Sequence, residues 1–464
     1  MPINSFDHYP LSWKPDKEKL TKPYYLSLTQ DLEQRIQSGE LLEGTKLPPQ
    51  RELADYLDLN YTTITRVYNM AKKKGLVYGI VGRGTFVAPH ASGDITIAER
   101  VISSDVIELS FVSGFSEYSA PVADALRRVV KKSYLKQLLD YSYIRGHPHH
   151  LAAGHRWLSQ MGIHTDPDHM TIFTGAENAL TVALTSLFRA GDTIAVDEYT
   201  YSNFIELCHM LSLHLLPIAG DNQGMKPDAL AKACKTQNIQ GIYLMPGGAN
   251  PTNIFIPPAR RKRLAQIITS HHLTLIEDDL YGWLEGATGH PTPPLFEYLP
   301  SRAFYICGTT KNLCPGLRIA FSAYTDDLKE TVLHGLSNMN IKTSSLDAEV
   351  ITELILSGDA YPLVHHKIEL AKEACALFDS IFPGVQEGVL SYFRWLPIPG
   401  HKKYDVVEQE LYQRGVHVYH SGRFQVAPEA KQNYLRISLC SAGNIKKLRK
   451  GLLIIKEYIE SGDS

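Results

Sequence analysis

The chain has no apolar run near the roughly 18 residues that cross a bilayer, and its start, MPINSFDHYPLSW, lacks the basic-then-apolar pattern of an export signal. Net charge is also scarce: 47 Lys plus Arg against 49 Asp plus Glu give −2. That balance excludes coating of nucleic acid or anionic membrane by bulk charge, while leaving room for a local basic face. The six cysteines (Cys208, Cys234, Cys307, Cys314, Cys375, Cys440) include no pair at CxxC spacing, which excludes a disulfide framework and a cysteine zinc site. Internal repeats and low-complexity tracts are absent. Apolar residues at 44% and charged residues at 21% exclude whole-chain disorder. What remains is a folded, cytoplasmic protein with reduced thiols, long enough for more than one domain.

The first ninety residues have their own texture. Tyr25, Leu28, Leu32 and Ile36 recur at helical spacing. In KLPPQRELADYL, Pro48 and Pro49 precede a short helix with Leu53, Ala54 and Leu57 inward. A third helix begins near Thr62, with Ile64, Val67, Tyr68 and Ala71 as its apolar stripe and Thr62, Thr65, Arg66, Asn69 and Lys73 opposite. LVYGIVGRGTFVA then reads as two strands around a tight turn. Three helices and a hairpin make a winged helix-turn-helix. Between Leu59 and Gly93 there is no Asp or Glu, whereas Arg66, Lys72, Lys73, Lys74 and Arg83 all fall there. Such a window is a local electrostatic footprint for double-stranded DNA. Thr62, Thr65, Arg66 and Asn69 suit a major groove, and Arg83 at the wing tip suits a minor groove.

Over residues 24–88 this segment resembles the GntR family of winged-helix regulators, on SGELLEGTKLPPQRELADYL, TTITRVY and GRGTFV. The resemblance implies DNA contacts from Arg51, Thr63, Arg66 and the wing. Tyr61 stands where the family usually has an arginine, so the operator contact at that position differs.

Residues 89–105 are polar and without period, as in a linker, which bounds a head at 1–88 and a body at 106–464. In the body, β-branched runs at 171–174, 192–198, 241–246, 273–279, 303–309 and 319–324 alternate with helical stretches. That alternation predicts an α/β unit with a mostly parallel sheet. The last hundred residues (YFRWLPI, VHVYHS, YLRISLC) read as a smaller α+β lobe.

Several residues in the body converge on one chemistry. Lys311, in the turn CGTTKNLCPGLRIAF, is placed to form a Schiff base with an aldehyde if its pocket lowers its pKa. Thr310 beside it and Arg318, seven residues on, suit a phosphate. Asp278, at the end of a strand in IEDDLYGW, suits a pyridinium nitrogen. Gly175, Ala176 and Glu177 open a helix whose free N–H groups suit a phosphate. Asn250, in NPTN, suits a ring hydroxyl, and Arg436 in YLRISLC suits a carboxylate. Taken singly, each also fits a structural role: a surface lysine, a helix cap, a turn or an ion pair.

In this order the pieces resemble fold type I aminotransferases of the aspartate aminotransferase superfamily, over about residues 106–464. The resemblance implies pyridoxal 5'-phosphate as cofactor, with Lys311 as its Schiff-base lysine and Asp278 on the pyridine nitrogen. It also implies Asn250 with Tyr281 on the ring oxygen, Tyr201 stacked on the ring, and Gly175, Ala176, Glu177, Thr310 and Arg318 around the phosphate. Tyr141 matches a tyrosine that reaches the neighbouring subunit's phosphate, Arg436 matches the α-carboxylate clamp, and a homodimer follows. Departures are Asn253 for the usual Gly, Gly308 where some relatives carry Ser, and Leu151 for a common Arg.

A GntR head on such a body resembles the MocR subgroup of bacterial regulators. The resemblance implies a transcriptional regulator whose body senses an amino acid or amine, or pyridoxal phosphate itself, through exchange at Lys311. The alternative is a working transaminase with a DNA-binding appendage; a third reading keeps the body only for dimerisation. The histidines at 147–150, 271–272 and 365–366 are not expected to bind metal, because adjacent helical side chains do not face one another. The tryptophans are expected to pack.

Overall fold

The computed structural model describes the chain except for residues 1–11, 38–39, 43, 74–75, 81–83, 88–95, 98–104, 116–118, 142, 287–291, 401, 403, 427–431 and 463–464. It divides into two compact units, 1–96 and 97–464. Most of the expected linker, together with Lys74 and Arg83, lies outside the described residues.

In the head, α1 (Tyr24–Gln37), α2 (Gln50–Leu57) and α3 (Tyr61–Lys73) precede an antiparallel hairpin of β1 (Val77–Ile80) and β2 (Gly84–Val87). The expected stripes form its core: Leu28, Leu32 and Ile36 meet Leu53, Leu57, Ile64, Val67 and Ala71. Trp13 closes this core, its Nε1–H donating to Asp31 Oδ2 at 2.8 Å. All four tryptophans (Trp13, Trp157, Trp283, Trp395) are buried, as expected. The turn between α2 and α3 passes through Asp58 at φ 51°, and the Asn60 side chain caps α3 by accepting from the Thr62 N–H at 3.0 Å.

The principal elements of the body are α4 (Pro148–Gln160), β3 (Met170–Phe173), α5 (Ala176–Leu187), β4 (Thr193–Asp197), β5 (His214–Ile218), β6 (Gly241–Leu244), β7 (Thr274–Asp278), β8 (Ala303–Gly308) and β9 (Ala320–Tyr324). After them come α6 (Ser345–Ser357), α7 (Ala360–Ile381), β10 (Phe393–Ile398), β11 (Tyr419–His420), β12 (Asn433–Ser438) and α8 (Ile445–Glu460). Seven strands form one sheet in the order β3-β9-β8-β7-β6-β4-β5, parallel except for β9, which runs antiparallel to both neighbours. Six of these strands coincide with the β-branched runs. The seventh, β5, carries a proline and a histidine in HLLPI at the sheet edge, where Pro217 is tolerated.

The sheet is covered on both faces, so its strands lack polar alternation. Side chains one residue apart enter different cores: Ile242 and Leu275 pack on one face, Tyr243 and Ile276 on the other. A second, three-stranded antiparallel sheet in the order β10-β12-β11 forms the smaller lobe, with its own core around Leu396, Leu435, Ile437 and Phe378. The body is thus the expected large α/β lobe plus a small α+β lobe.

Candidate functional site

Five of the parallel strands end on the same edge of the large sheet, where ligands of open α/β sheets collect. Gly175 follows β3, Tyr201 follows β4, Asn250 follows β6, Asp278 ends β7, and Thr310 and Lys311 follow β8. Arg436 arrives from β12 of the small lobe. Asn250, Asp278, Tyr201, Tyr281, Lys311 and Arg436 line one cavity. Parallel strand direction, not sequence proximity, brings them together.

The Lys311 ammonium donates to the Val112 carbonyl at 2.5 Å and stands 5.3 Å from the centre of the Phe111 ring. Burial pushes its pKa down to about 8, and the cations Arg436 and Arg318 push the same way. A larger fraction of this amine is therefore neutral, and nucleophilic, at neutral pH than of an exposed lysine. Asp278 is 2% exposed; its Oδ2 accepts from the Tyr243 hydroxyl at 2.9 Å, while its buried Oδ1 has no partner. Burial raises this carboxyl to about 7, against the lowering effect of the Tyr243 bond. A buried carboxylate oxygen without a donor is costly, so the position suits a ligand N–H.

Arg436, 1% exposed, donates to the Ser110 carbonyl and, at 3.2 Å, to Asn250 Oδ1, leaving its Nε without a partner. Tyr281 is buried and its phenol pKa is raised by that burial. The Tyr201 phenol donates to Glu177 Oε1, which ties the loop after β4 to the first turn of α5. The cavity is tight, about 40 Å³, with Lys311 held at the Val112 carbonyl and Arg436 at Asn250.

At the other end, Gly175 caps α5 with φ 83°, a conformation that favours glycine. A Cβ on it would lie 2.8 Å from Arg318 Nη2, so the guanidinium sits directly against the helix N-terminus. Ala176 and Thr310 are buried. A helix start without a side-chain cap and a guanidinium lying against it make a cup suited to an anion. Gly308 has a packing reason for lacking a side chain, since a Cβ there would meet Leu280 Cδ2 at 2.4 Å.

Tyr141 is placed elsewhere. It is 83% exposed and does not line this cavity, with Leu139 (69%) and Tyr143 (58%) exposed beside it. Residues without a sequence signal also matter. Tyr243 orients Asp278, and the Val112 and Ser110 carbonyls hold Lys311 and Arg436. Ile97, inside the expected linker, lines the cavity and exchanges two hydrogen bonds with the Asn203 side chain, at 2.7 and 3.0 Å. Lys367 on α7, 1% exposed, donates to the carbonyls of Lys311 (3.4 Å) and Leu313 (3.0 Å).

His149 and His150 depart from the expectation that adjacent helical side chains do not face one another, their ring centres standing 4.2 Å apart. They converge: both bring Nε2 to Glu349 Oε2, at 2.5 and 2.7 Å. Neighbouring side chains project about 100° apart around a helix, and a third residue standing between them receives both.

In the head, Tyr61, Thr62, Arg66, Asn69 and Lys72 form the exposed face of α3, and Arg51 is exposed on α2. Thr63 and Thr65 are half-buried, and Thr65 Oγ1 donates to Gln50 Oε1 at 3.0 Å, joining α3 to the start of α2. The Arg66 guanidinium lies 3.8 Å from the centre of the Tyr25 ring. That stacking presents a planar cation on the exposed face of α3.

Residues 24–87 match the family "Bacterial regulatory proteins, gntR family", and residues 113–452 match "Aminotransferase class I and II". The HTH-type transcriptional regulator YdeF of Bacillus subtilis is 34% identical over 99% of both chains, and the HTH-type transcriptional regulator YjiR of Escherichia coli is 23% identical over 94% of this chain and 98% of its own. Among solved structures, the kynurenine aminotransferase of Pyrococcus horikoshii superposes with a TM-score of 0.71 at 18% identity, covering 78% of this chain and 92% of its own. With a GntR head and a fold type I body in one chain, the protein belongs to the HTH-type transcriptional regulators that carry a class I and II aminotransferase domain, the MocR arrangement.

Proposed function

We propose that this regulator binds pyridoxal 5'-phosphate in the body, binds double-stranded DNA through the head, and responds to an amino acid or amine that exchanges at Lys311. The observation that carries the reading is the pairing, in one cavity, of a lysine with a lowered pKa and a buried aspartate oxygen that lacks a donor. The residues fit the cofactor at three points. Lys311 is the amine for its aldehyde, Asp278 Oδ1 the acceptor for its ring N–H, and the Gly175–Arg318 cup the seat for its phosphate. When bound, the cofactor supplies an electron sink for bonds at the amine carbon.

The chain's own groups do the rest. Tyr201 covers the ring position, and Asn250 with Tyr281 addresses the ring oxygen. Arg436, whose Nε has no partner, holds the carboxylate of an entering amino acid. Lys311, displaced by the entering amine, has a pKa lowered toward neutrality and so suits proton transfer at the amine carbon. Tyr141, exposed and outside its own cavity, serves the phosphate of a partner subunit in a homodimer. On DNA, the exposed Arg66, Thr62 and Tyr61 face the major groove, with Arg51 and Thr63 on phosphates.

The test is visible absorption of the purified protein during addition of amino acids and amines. A cofactor band that shifts for one compound and holds identifies a sensor and its effector. A band that collapses to the pyridoxamine form and returns with a keto acid identifies a transaminase. No cofactor band refutes the reading of the body.

A further inference from the structure

Away from the cavity of Lys311, the body carries a cluster that the regulator reading does not use. Glu349 on α6 is fully buried, and its two oxygens have different partners. Oε1 accepts from Lys132 Nζ at 2.8 Å and from the Tyr134 hydroxyl at 2.9 Å. Oε2 faces two imidazoles from the first turn of α4, His149 Nε2 at 2.5 Å and His150 Nε2 at 2.7 Å. The three donor atoms lie within 4.8 Å of one another. His150 is buried, whereas the His149 side chain is 40% exposed and opens on a cavity of about 810 Å³.

We propose that His149, His150 and Glu349 form a binding site for a divalent transition-metal ion of the zinc class. Two imidazole nitrogens and one carboxylate oxygen are the donor set of an open zinc site, with a fourth position left for water or another ligand. The division of labour on Glu349 is the one such sites need: Lys132 and Tyr134 fix one oxygen and orient the other. Bonds of about 2.0–2.2 Å around a tetrahedral ion place donors roughly 3.3 Å apart. The imidazoles therefore spread by somewhat under roughly 1 Å to admit the ion, a shift that half-exposed His149 in a first helical turn permits. The fourth position faces the cavity.

The competing arrangement is a metal-free knot in which both imidazoles simply donate to the carboxylate. The experiment uses the full-length protein, stripped with chelator, dialysed against zinc ions and assayed for metal content and zinc affinity by competition with a chromophoric chelator. One tightly held zinc per chain is expected. His149→Ala and His150→Gln should each weaken zinc binding at least tenfold, Tyr134→Phe about tenfold, and His271→Ala should leave it unchanged. Because His149 is half exposed, its replacement tests the site even if changes at buried Glu349 unfold the chain. No zinc uptake, or uptake that survives both histidine substitutions, overturns the site.

Discussion

Arg436 on the small-lobe strand β12 donates to Asn250 Oδ1 in the large-lobe loop after β6, at 3.2 Å. The bond joins the two lobes through the residue best suited to a carboxylate. The Nε of the same guanidinium has no partner, which on the proposed reading leaves it for the carboxylate of an amino acid. Arg436→Lys keeps the charge and loses the planar fork. Affinity for α-amino acids should fall about ten- to a hundredfold, matching a charged hydrogen-bond pair of about 1.5–3 kcal/mol. Affinity for amines without a carboxylate should not change. Titration of the cofactor band with an amino acid and its decarboxylated analogue separates the two.

Asp278 is held by Tyr243 on one oxygen only. Asp278→Asn removes the charge that pairs with a ring N–H while conserving volume. Cofactor affinity should drop by about tenfold or more, with secondary structure unchanged. Tyr243→Phe should give a smaller loss, because the carboxylate stays but loses its orientation. Equilibrium dialysis of pyridoxal phosphate against each variant measures both.

The stacking of Arg66 on Tyr25 couples the exposed face of α3 to α1. Arg66→Ala should weaken operator binding by about 1–3 kcal/mol while cofactor occupancy is untouched. Tyr25→Leu should reproduce part of that loss, since the guanidinium keeps its charge without its platform. Electrophoretic mobility shifts at fixed salt report both. Unchanged affinity in Arg66→Ala sinks the recognition-helix assignment.

Lys311 carries a pKa of about 8 in the fold, against roughly 10.4 in an unfolded chain. Between those values the unfolded state holds a proton that the folded state has released. Stability of the cofactor-free protein should therefore rise with pH across that window and be lowest below it. Lys311→Met should flatten the rise, and Lys367, also lowered to about 8 by burial, accounts for a remaining part. Denaturant titrations at a series of pH values give the slopes. Lys311→Ala should also abolish the borohydride-trapped adduct with pyridoxal phosphate, and an adduct mapping to another lysine refutes the assignment.

Much of this protein is legible in its sequence because local patterns repeat the fold's own periods. Leu28, Leu32 and Ile36, or Ile64, Val67 and Ala71, are core residues wherever a helix is amphipathic, and they sit in the head core as their spacing requires. The β-branched runs became β3, β4, β6, β7, β8 and β9, and Lys311, Asp278 and Asn250 could be singled out from the turns that follow such runs. Strand β5 had no comparable signal, because an edge strand with Pro217 departs from the buried-strand pattern.

Other features were settled only by tertiary structure. That Tyr243 bonds Asp278, that the Val112 carbonyl receives Lys311, and that Ile97 reaches the cavity depends on strand order and on segments far apart in the chain. The same holds for Glu349, which lies 200 and 199 residues from His149 and His150 and meets them because α4 and α6 pack together. A sequence determines which side chains share a face, since helix and strand periods are local properties of the backbone. Which faces meet is decided by long-range burial, and so the partner of each polar group, and with it the chemistry, belongs to the tertiary fold.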